Sequence, residues 1–189
     1  MRSMSLPRFT AATAEFDRRV RAIGPQQWHN PTPCTEWDVR DLVNHLVVEQ
    51  LWAPPLLSGA TIAEVGDRFD GDQLGEDPVA AWEAASAAAR EAFAAPGALQ
   101  RTVQLSSGPR PAESYCQEMT VDLAVHAWDL ARAIGADDRL DDQLVSHLLA
   151  FIEPQAEQLA GTGLFAPPIA VDQDADPQTR LLAVLGRRR

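Results

Sequence analysis

Asp122 and His126 stand four residues apart in Glu118-Met119-Thr120-Val121-Asp122-Leu123-Ala124-Val125-His126-Ala127-Trp128-Asp129-Leu130, a segment whose apolar spacing predicts a helix. At about 100° per residue the two side chains fall within about 40° of each other, on the same side as Tyr115, Met119 and Leu130, the candidate core face. A carboxylate and an imidazole on such a face have to be hydrogen-bonded, paired or bound to a metal, because burying them uncompensated costs several kcal/mol. The helix therefore needs a neighbouring element that brings further polar groups to the same place.

The rest of the chain reads as more helices, which makes the expected fold class all-α. Phe9, Ala12, Thr13, Phe16, Val20 and Ile23 form one stripe stopped by Gly24-Pro25, predicting a helix over roughly residues 7–23. Trp28-His29-Asn30-Pro31-Thr32-Pro33-Cys34 is too rich in proline to be helical. It leads to Thr35 and Asp38, spaced as a capping box, and to a helix through Trp37, Leu42, Leu46 and Val47 that ends at about Leu57. Residues 59–77 lose all periodicity, a connection long enough to cross over or to cover something. Asp77-Pro78 opens a third helix, striped by Trp82, Ala85, Ser86, Ala89 and Phe93 and ended by Pro96-Gly97.

Thr102-Val103-Gln104-Leu105 alternates polar and apolar residues but is too short for an independent sheet, and reads as an extended connector. Gly108-Pro109-Arg110-Pro111 then launches the helix of Asp122 and His126, which stops at Gly135. A fifth helix is expected from about Asp141 to Ala160, kinked at Pro154 and ended by Gly161, with a short apolar helix at Thr179 to Leu185. The expected organisation is a helical domain over residues 1–162 and a C-terminal extension over residues 163–189.

A formal charge of −11 repels phosphate backbones and anionic lipid surfaces, which argues against nucleic acid and membrane as partners. No apolar run approaches the roughly 20 residues of a membrane span, and Met1-Arg2-Ser3-Met4-Ser5-Leu6-Pro7 lacks the apolar core of a signal peptide. A cytoplasmic location is expected. Cys34 and Cys116 lie far apart and match neither a zinc ribbon nor a redox pair.

A carboxylate and an imidazole at i and i+4 leave adjacent turns in the same direction and are able to coordinate one cation. His45, in Asp41-Leu42-Val43-Asn44-His45-Leu46-Val47-Val48-Glu49, supplies a third donor if its helix is adjacent. His147 projects off the Leu144, Leu148 and Ile152 stripe and His29 lies in the proline-rich loop, so neither is chosen. One carboxylate with two imidazoles suits Zn²⁺, Ni²⁺ or Fe²⁺ better than Ca²⁺ or Mg²⁺. The same spacing fits a hydrogen-bonded core pair with no metal. Glu49 reads as a fourth ligand, a general base or a solvated helix residue. Tyr115 reads as a hydrogen-bonding group beside the metal or as core, Asp129 and Arg132 as an i,i+3 pair, and Cys34 as a buried or cap-region thiol.

Residues Thr32-Pro33-Cys34-Thr35-Glu36-Trp37-Asp38-Val39-Arg40-Asp41-Leu42-Val43-Asn44-His45-Leu46 and Asp122-Leu123-Ala124-Val125-His126-Ala127-Trp128-Asp129-Leu130-Ala131-Arg132-Ala133 resemble the metal-binding domain shared by mycothiol-dependent maleylpyruvate isomerases and DinB-like (YfiT-like) proteins. Asp174-Ala175-Asp176-Pro177-Gln178-Thr179-Arg180-Leu181-Leu182 and Leu185-Gly186-Arg187 resemble the end of one actinobacterial branch of that family. The resemblance implies a four-helix bundle with one long crossover connection. It also implies a divalent metal, zinc first and nickel or iron next, held by His45, Asp122 and His126. The isomerases carry glutamate where this chain has the shorter Asp122.

The implied activity is a thiol S-transferase that joins a low-molecular-weight thiol, mycothiol as co-substrate, to a small electrophile. Trp52, Tyr115 and the crossover loop are the candidates to line its pocket, and Glu49 is the candidate catalytic group. Maleylpyruvate isomerisation itself is not expected, since the isomerases have a separate C-terminal domain. The alternatives are a non-catalytic metal-binding or stress-response protein, and a metal-dependent hydrolase with Glu49 or Asp129 as base. Pairing through helices as a homodimer is a further expectation from the resemblance.

Overall fold

Each apolar stripe of the sequence is found as a helix, with shifts at the ends that have local causes. The computed structural model describes residues 4–156, 166–172 and 174–189, which belong to two compact units, Met1–Ala136 and Asp137–Arg189. The described residues are mostly helical with a single two-stranded sheet.

In the first unit, α1 (Ser5–Val20) buries Phe9, Ala12, Thr13, Phe16 and Val20. The next helix, α2 (Val39–Leu57), buries Leu42, Val43, Leu46, Val47 and Gln50. The connection after α2 is less irregular than its sequence suggests. It contains a one-turn helix, α3 (Ile62–Val65), because Thr61 and Glu64 cap each other's backbone N–H groups. Helix α4 (Pro78–Ala94) starts at the expected Asp77 cap, whose carboxylate accepts from the Ala80 N–H at 3.0 Å. Helix α5 (Ala112–Ile134) ends at Gly135, which takes the left-handed conformation (φ 69°) that glycine adopts at no steric cost.

Helix α1 packs against α5 and α4, and α2 packs against α4 and α5. Aromatic contacts tie three of these helices together. Phe16 of α1 meets Trp82 of α4 with ring centroids 4.7 Å apart, Phe9 meets Phe93 at 5.0 Å, and Phe93 meets Tyr115 of α5 at 5.6 Å. The indole N–H of Trp82 donates to Asp17 Oδ1 at 3.0 Å, so the burial of this large ring leaves its polar atom satisfied.

Two local expectations are corrected. Thr35 is not the cap of α2. Asp38 is, with its carboxylate accepting from the Asp41 N–H at 2.9 Å and the Asp41 carboxylate accepting from the Asp38 N–H at 3.1 Å. A second Asp three residues later completes the same reciprocal motif one turn downstream. Replacing Asp38 by alanine is expected to cost about 1 kcal/mol in urea unfolding, the usual worth of an N-cap side chain.

Thr102–Leu105 is not a lone connector either, but β1 of a hairpin whose second strand, β2 (Gly108–Pro111), pairs antiparallel with it from Thr102↔Pro111 to Leu105↔Gly108. Such a hairpin is marginal by itself. Here Val103 is buried, β1 rests on α2 and α5, and Arg101 donates to the Leu57 carbonyl at the end of α2 at 2.8 Å.

The second unit contains α6 (Asp142–Ile152), a single 3₁₀ turn over Glu153–Gln155, and α7 (Pro177–Val184). The stripe of Leu144, Val145, Leu148 and Ile152 is buried, as are Leu181, Leu182 and Leu185, and α6 packs against α7. Gln178 accepts from the Leu140 N–H at 3.0 Å and donates to the Asp138 carbonyl at 2.8 Å. Pro154 stands where the α-helix gives way to the 3₁₀ turn, as its missing N–H requires. The helix end expected at Gly161 and the division expected after residue 162 lie outside the described residues. Among the described residues no helix is long and apolar enough to cross a membrane.

Candidate metal centre

Helices α2 and α5 carry the three expected donors. His45 lies in the second turn of α2, and Asp122 and His126 lie on successive turns in the middle of α5. Packing of α2 against α5 brings His45 Nε2 to 3.1 Å from Asp122 Oδ2, while His126 Nε2 is 3.3 Å from Asp122 Oδ1. Asp122 thus sits between the two imidazoles, whose rings meet edge to face at 5.2 Å. One donor atom from each of the three residues lies within 4.8 Å of the other two. Donors bound to one cation at about 2.0–2.2 Å occupy a space of this size, so the group is compatible with a divalent metal.

Burial opposes the charge on Asp122, but His126 and His45 outweigh it and hold the carboxyl far below the usual carboxylate range. Burial likewise opposes a charge on His126, yet Asp122, Asp129 and Cys34 raise its pKa well above that of a free imidazole. Without a metal the neighbouring carboxylates therefore favour the protonated form of His126.

Three residues complete the centre that the sequence reading assigned elsewhere or passed over. Asp129, fully buried, places Oδ2 2.9 Å from His126 Nδ1. It fixes the ring so that Nε2 faces Asp122. Cys34 Sγ lies 3.4 Å from the same Asp129 oxygen and 3.9 Å from His126 Nδ1. Trp37 covers both imidazoles, with centroids 4.8 Å from His45 and 5.8 Å from His126. Asp129 was legible as a polar residue three positions beyond His126, on a neighbouring part of the helix face. Nothing in the sequence reports that the loop carrying Cys34 and Trp37 folds back over α5.

The remaining candidates divide. Glu49, half-buried one turn beyond His45, lies outside the three-donor group but feels its charges. Burial, then Asp122, raise its pKa, and His45 and His126 act against them. Tyr115 is about 16 Å along α5 from His126 by helix rise and is not part of the cluster. It is buried against Phe93, its hydroxyl has no partner among the described residues, and burial with the nearby Glu49 charge raises its pKa. Trp52, two turns beyond His45, packs edge to face on Phe69 of the connection between α2 and α4 at 5.6 Å. That connection is fastened to α2 beside His45. Asn44 donates to the Gly71 carbonyl at 2.9 Å and accepts from the Gln73 N–H at 2.8 Å, and Arg40 donates to Asp72 at 2.7 Å. His29 is exposed and bonded to Asp38 at 2.9 Å, and His147 lies on α6 in the second unit.

Residues 9–131, which include most of α1, the capped α2 and the polar stretch of α5, match the family described as the mycothiol maleylpyruvate isomerase N-terminal domain. The chain belongs to this family. Two proteins of Mycobacterium tuberculosis, Uncharacterized protein MT0763 of strain CDC 1551 / Oshkosh and Uncharacterized protein Rv0738 of strain ATCC 25618 / H37Rv, are each 37% identical to it over 190 residues, covering 97% of this chain and 96% of theirs. No solved structure matches the chain at a significant level. All three donors of this family member fall within the matched residues, as do Cys34, Trp37, Glu49 and Asp129.

The role of Asp129 is open to direct measurement. Partners that orient a ligating imidazole contribute about 10–100-fold to metal affinity. Asp129→Asn is expected to weaken zinc binding by about that factor, as read by competition with a chromophoric chelator, without a loss of helical circular dichroism.

Proposed function

We propose that this protein is a metal-dependent transferase of a low-molecular-weight thiol, of the mycothiol type, to a small electrophile, and that α1, α2, α4 and α5 form a four-helix bundle of DinB-like type around the site. The observation that carries the reading is the convergence of His45, Asp122 and His126 within 4.8 Å, in a chain of a family whose description names mycothiol.

The donor set fits zinc first, with nickel or iron as alternatives. His45 Nε2, His126 Nε2 and an Asp122 oxygen would hold the ion. Two neutral imidazoles and one carboxylate leave a divalent ion with net positive charge, so when bound it lowers the pKa of a thiol that reaches it and favours the thiolate at neutral pH. Glu49, one turn beyond His45, would take the thiol proton in this reading, and burial gives its carboxylate more affinity for a proton than an exposed glutamate has. The sulfur lone pair then forms a bond to the electrophilic carbon, and a leaving group departs or the adduct takes up a proton. Trp37 keeps water from the faces of the two imidazoles, and Trp52 with Phe69 offers an apolar wall for the electrophile.

Metal content of native-purified protein, followed by thiol-dependent consumption of a bimane electrophile, tests the reading. About one ion per chain is expected, lost in Asp122→Asn, together with turnover that requires added thiol. Failure to hold metal even after reconstitution with Zn²⁺ and Ni²⁺ would remove the proposal. Metal without turnover would point to the binding-protein alternative, and turnover without thiol to a hydrolase.

A further inference from the structure

The imidazole of His126 has a second polar edge, and it faces a different donor set. Nδ1 lies 2.9 Å from Asp129 Oδ2 and 3.9 Å from Cys34 Sγ, and that sulfur lies 3.4 Å from the same Asp129 oxygen. Sulfur, nitrogen and oxygen donors thus meet within 4.8 Å of one another. A tetrahedral ion with a bond of about 2.3 Å to sulfur and about 2.0–2.2 Å to nitrogen and oxygen holds its ligands about 3.3–3.6 Å apart, in the middle of the spread seen here. Asp129 and His126 are buried on α5, whereas Cys34 is half-buried on the loop before α2, so the donors come from two separate elements.

We propose that Cys34, Asp129 and Nδ1 of His126 form a second cation site, selective for thiophilic divalent ions such as zinc, cobalt and cadmium. Its chemistry differs from that of the first group. His45, Asp122 and His126 Nε2 offer no sulfur, while a thiolate ligand favours soft ions over hard ones. Binding displaces the thiol proton of Cys34 and the proton on the Nδ1 edge. A neutral imidazole has one free lone pair, so a ring that ligates through Nδ1 keeps its proton on Nε2, directed at Asp122. The two sites share His126 as alternatives.

Cobalt(II) titration of the full chain, followed by absorption, tests this with the ion alone. A thiolate-to-cobalt charge-transfer band in the near ultraviolet is expected in the wild type. It should persist in His45→Ala and in Cys116→Ser and disappear in Cys34→Ser. Cys116 is the control thiol, fully buried and pushed up to about 12 by burial and then by Glu113. Absence of the band at saturating cobalt, its survival in Cys34→Ser, or its loss in His45→Ala would overturn the proposal. Failure of the first centre reads differently. Cobalt bound without the band and released by His45→Ala would support that centre and sink this one, whereas a band untouched by His45→Ala with no other bound cobalt would do the reverse.

Discussion

Replacing His126 by alanine is expected to abolish stoichiometric metal binding, with a loss of affinity larger than about 100-fold. Even a group that only orients a ligand contributes about 10–100-fold, and His126 is both a donor itself and the residue that Asp129 and Asp122 address from opposite edges. Metal analysis of the purified variant beside the wild type gives the answer, and near-stoichiometric metal in His126→Ala would show that the imidazole is not a ligand. The same residue links stability to pH in the metal-stripped protein. Its pKa is raised on folding, so its contribution is complete below the unfolded value of about 6.5 and is lost as pH rises through the raised value. Asp122 runs the other way, since its pKa is depressed. Its contribution is complete above about 3.9 and is lost only as pH falls through the depressed value. Thermal melts in chelator should therefore show wild-type stability declining toward alkaline pH with a slope that His126→Ala removes. Zinc should oppose that decline, because coordination requires the His126 proton to leave.

Phe16→Ala is expected to destabilise the first unit by about 3–5 kcal/mol, the usual result of emptying a fully buried aromatic position. Phe16 is 0% exposed and packs on Trp82, itself 0% exposed and hydrogen-bonded to Asp17, so the cavity has little scope to collapse. Loss of midpoint temperature on the order of 10 °C follows for a chain of this size, measured by circular dichroism. Metal affinity of the folded fraction should be nearly unchanged, because Phe16 touches the α1–α4 seam and the donors lie on α2 and α5. A drop in affinity as large as that of the Asp129 variant would mean that the aromatic seam positions the donors after all.

What was legible in the sequence has one physical origin, namely that helix periodicity and caps are local. The stripes of α1, α4 and α5, the Asp77 cap and the Gly135 stop depend on neighbours within a few residues, so they appear in the chain order itself. The two corrected elements were decided by contacts outside the pattern that suggested them. Either of Thr35 and Asp38 satisfies a capping pattern, and the choice was made by Asp41 returning the hydrogen bond. The hairpin of β1 and β2 exists because Val103 has α2 and α5 to rest on, and alternation over four residues carries no information about that.

The site divides in the same manner. Asp122 and His126 declared themselves through a four-residue spacing on an apolar face, which the geometry of a single helix fixes, and the motifs of the chain itself carried its family. Only the tertiary structure decided that His45, 77 residues away, reaches Asp122, that Asp129 turns toward His126, and that the Cys34 loop lies against the far edge of the same ring. Those relations depend on how α2 and its preceding loop pack on α5. Packing is a property of surfaces brought together across the chain, and no local spacing encodes it.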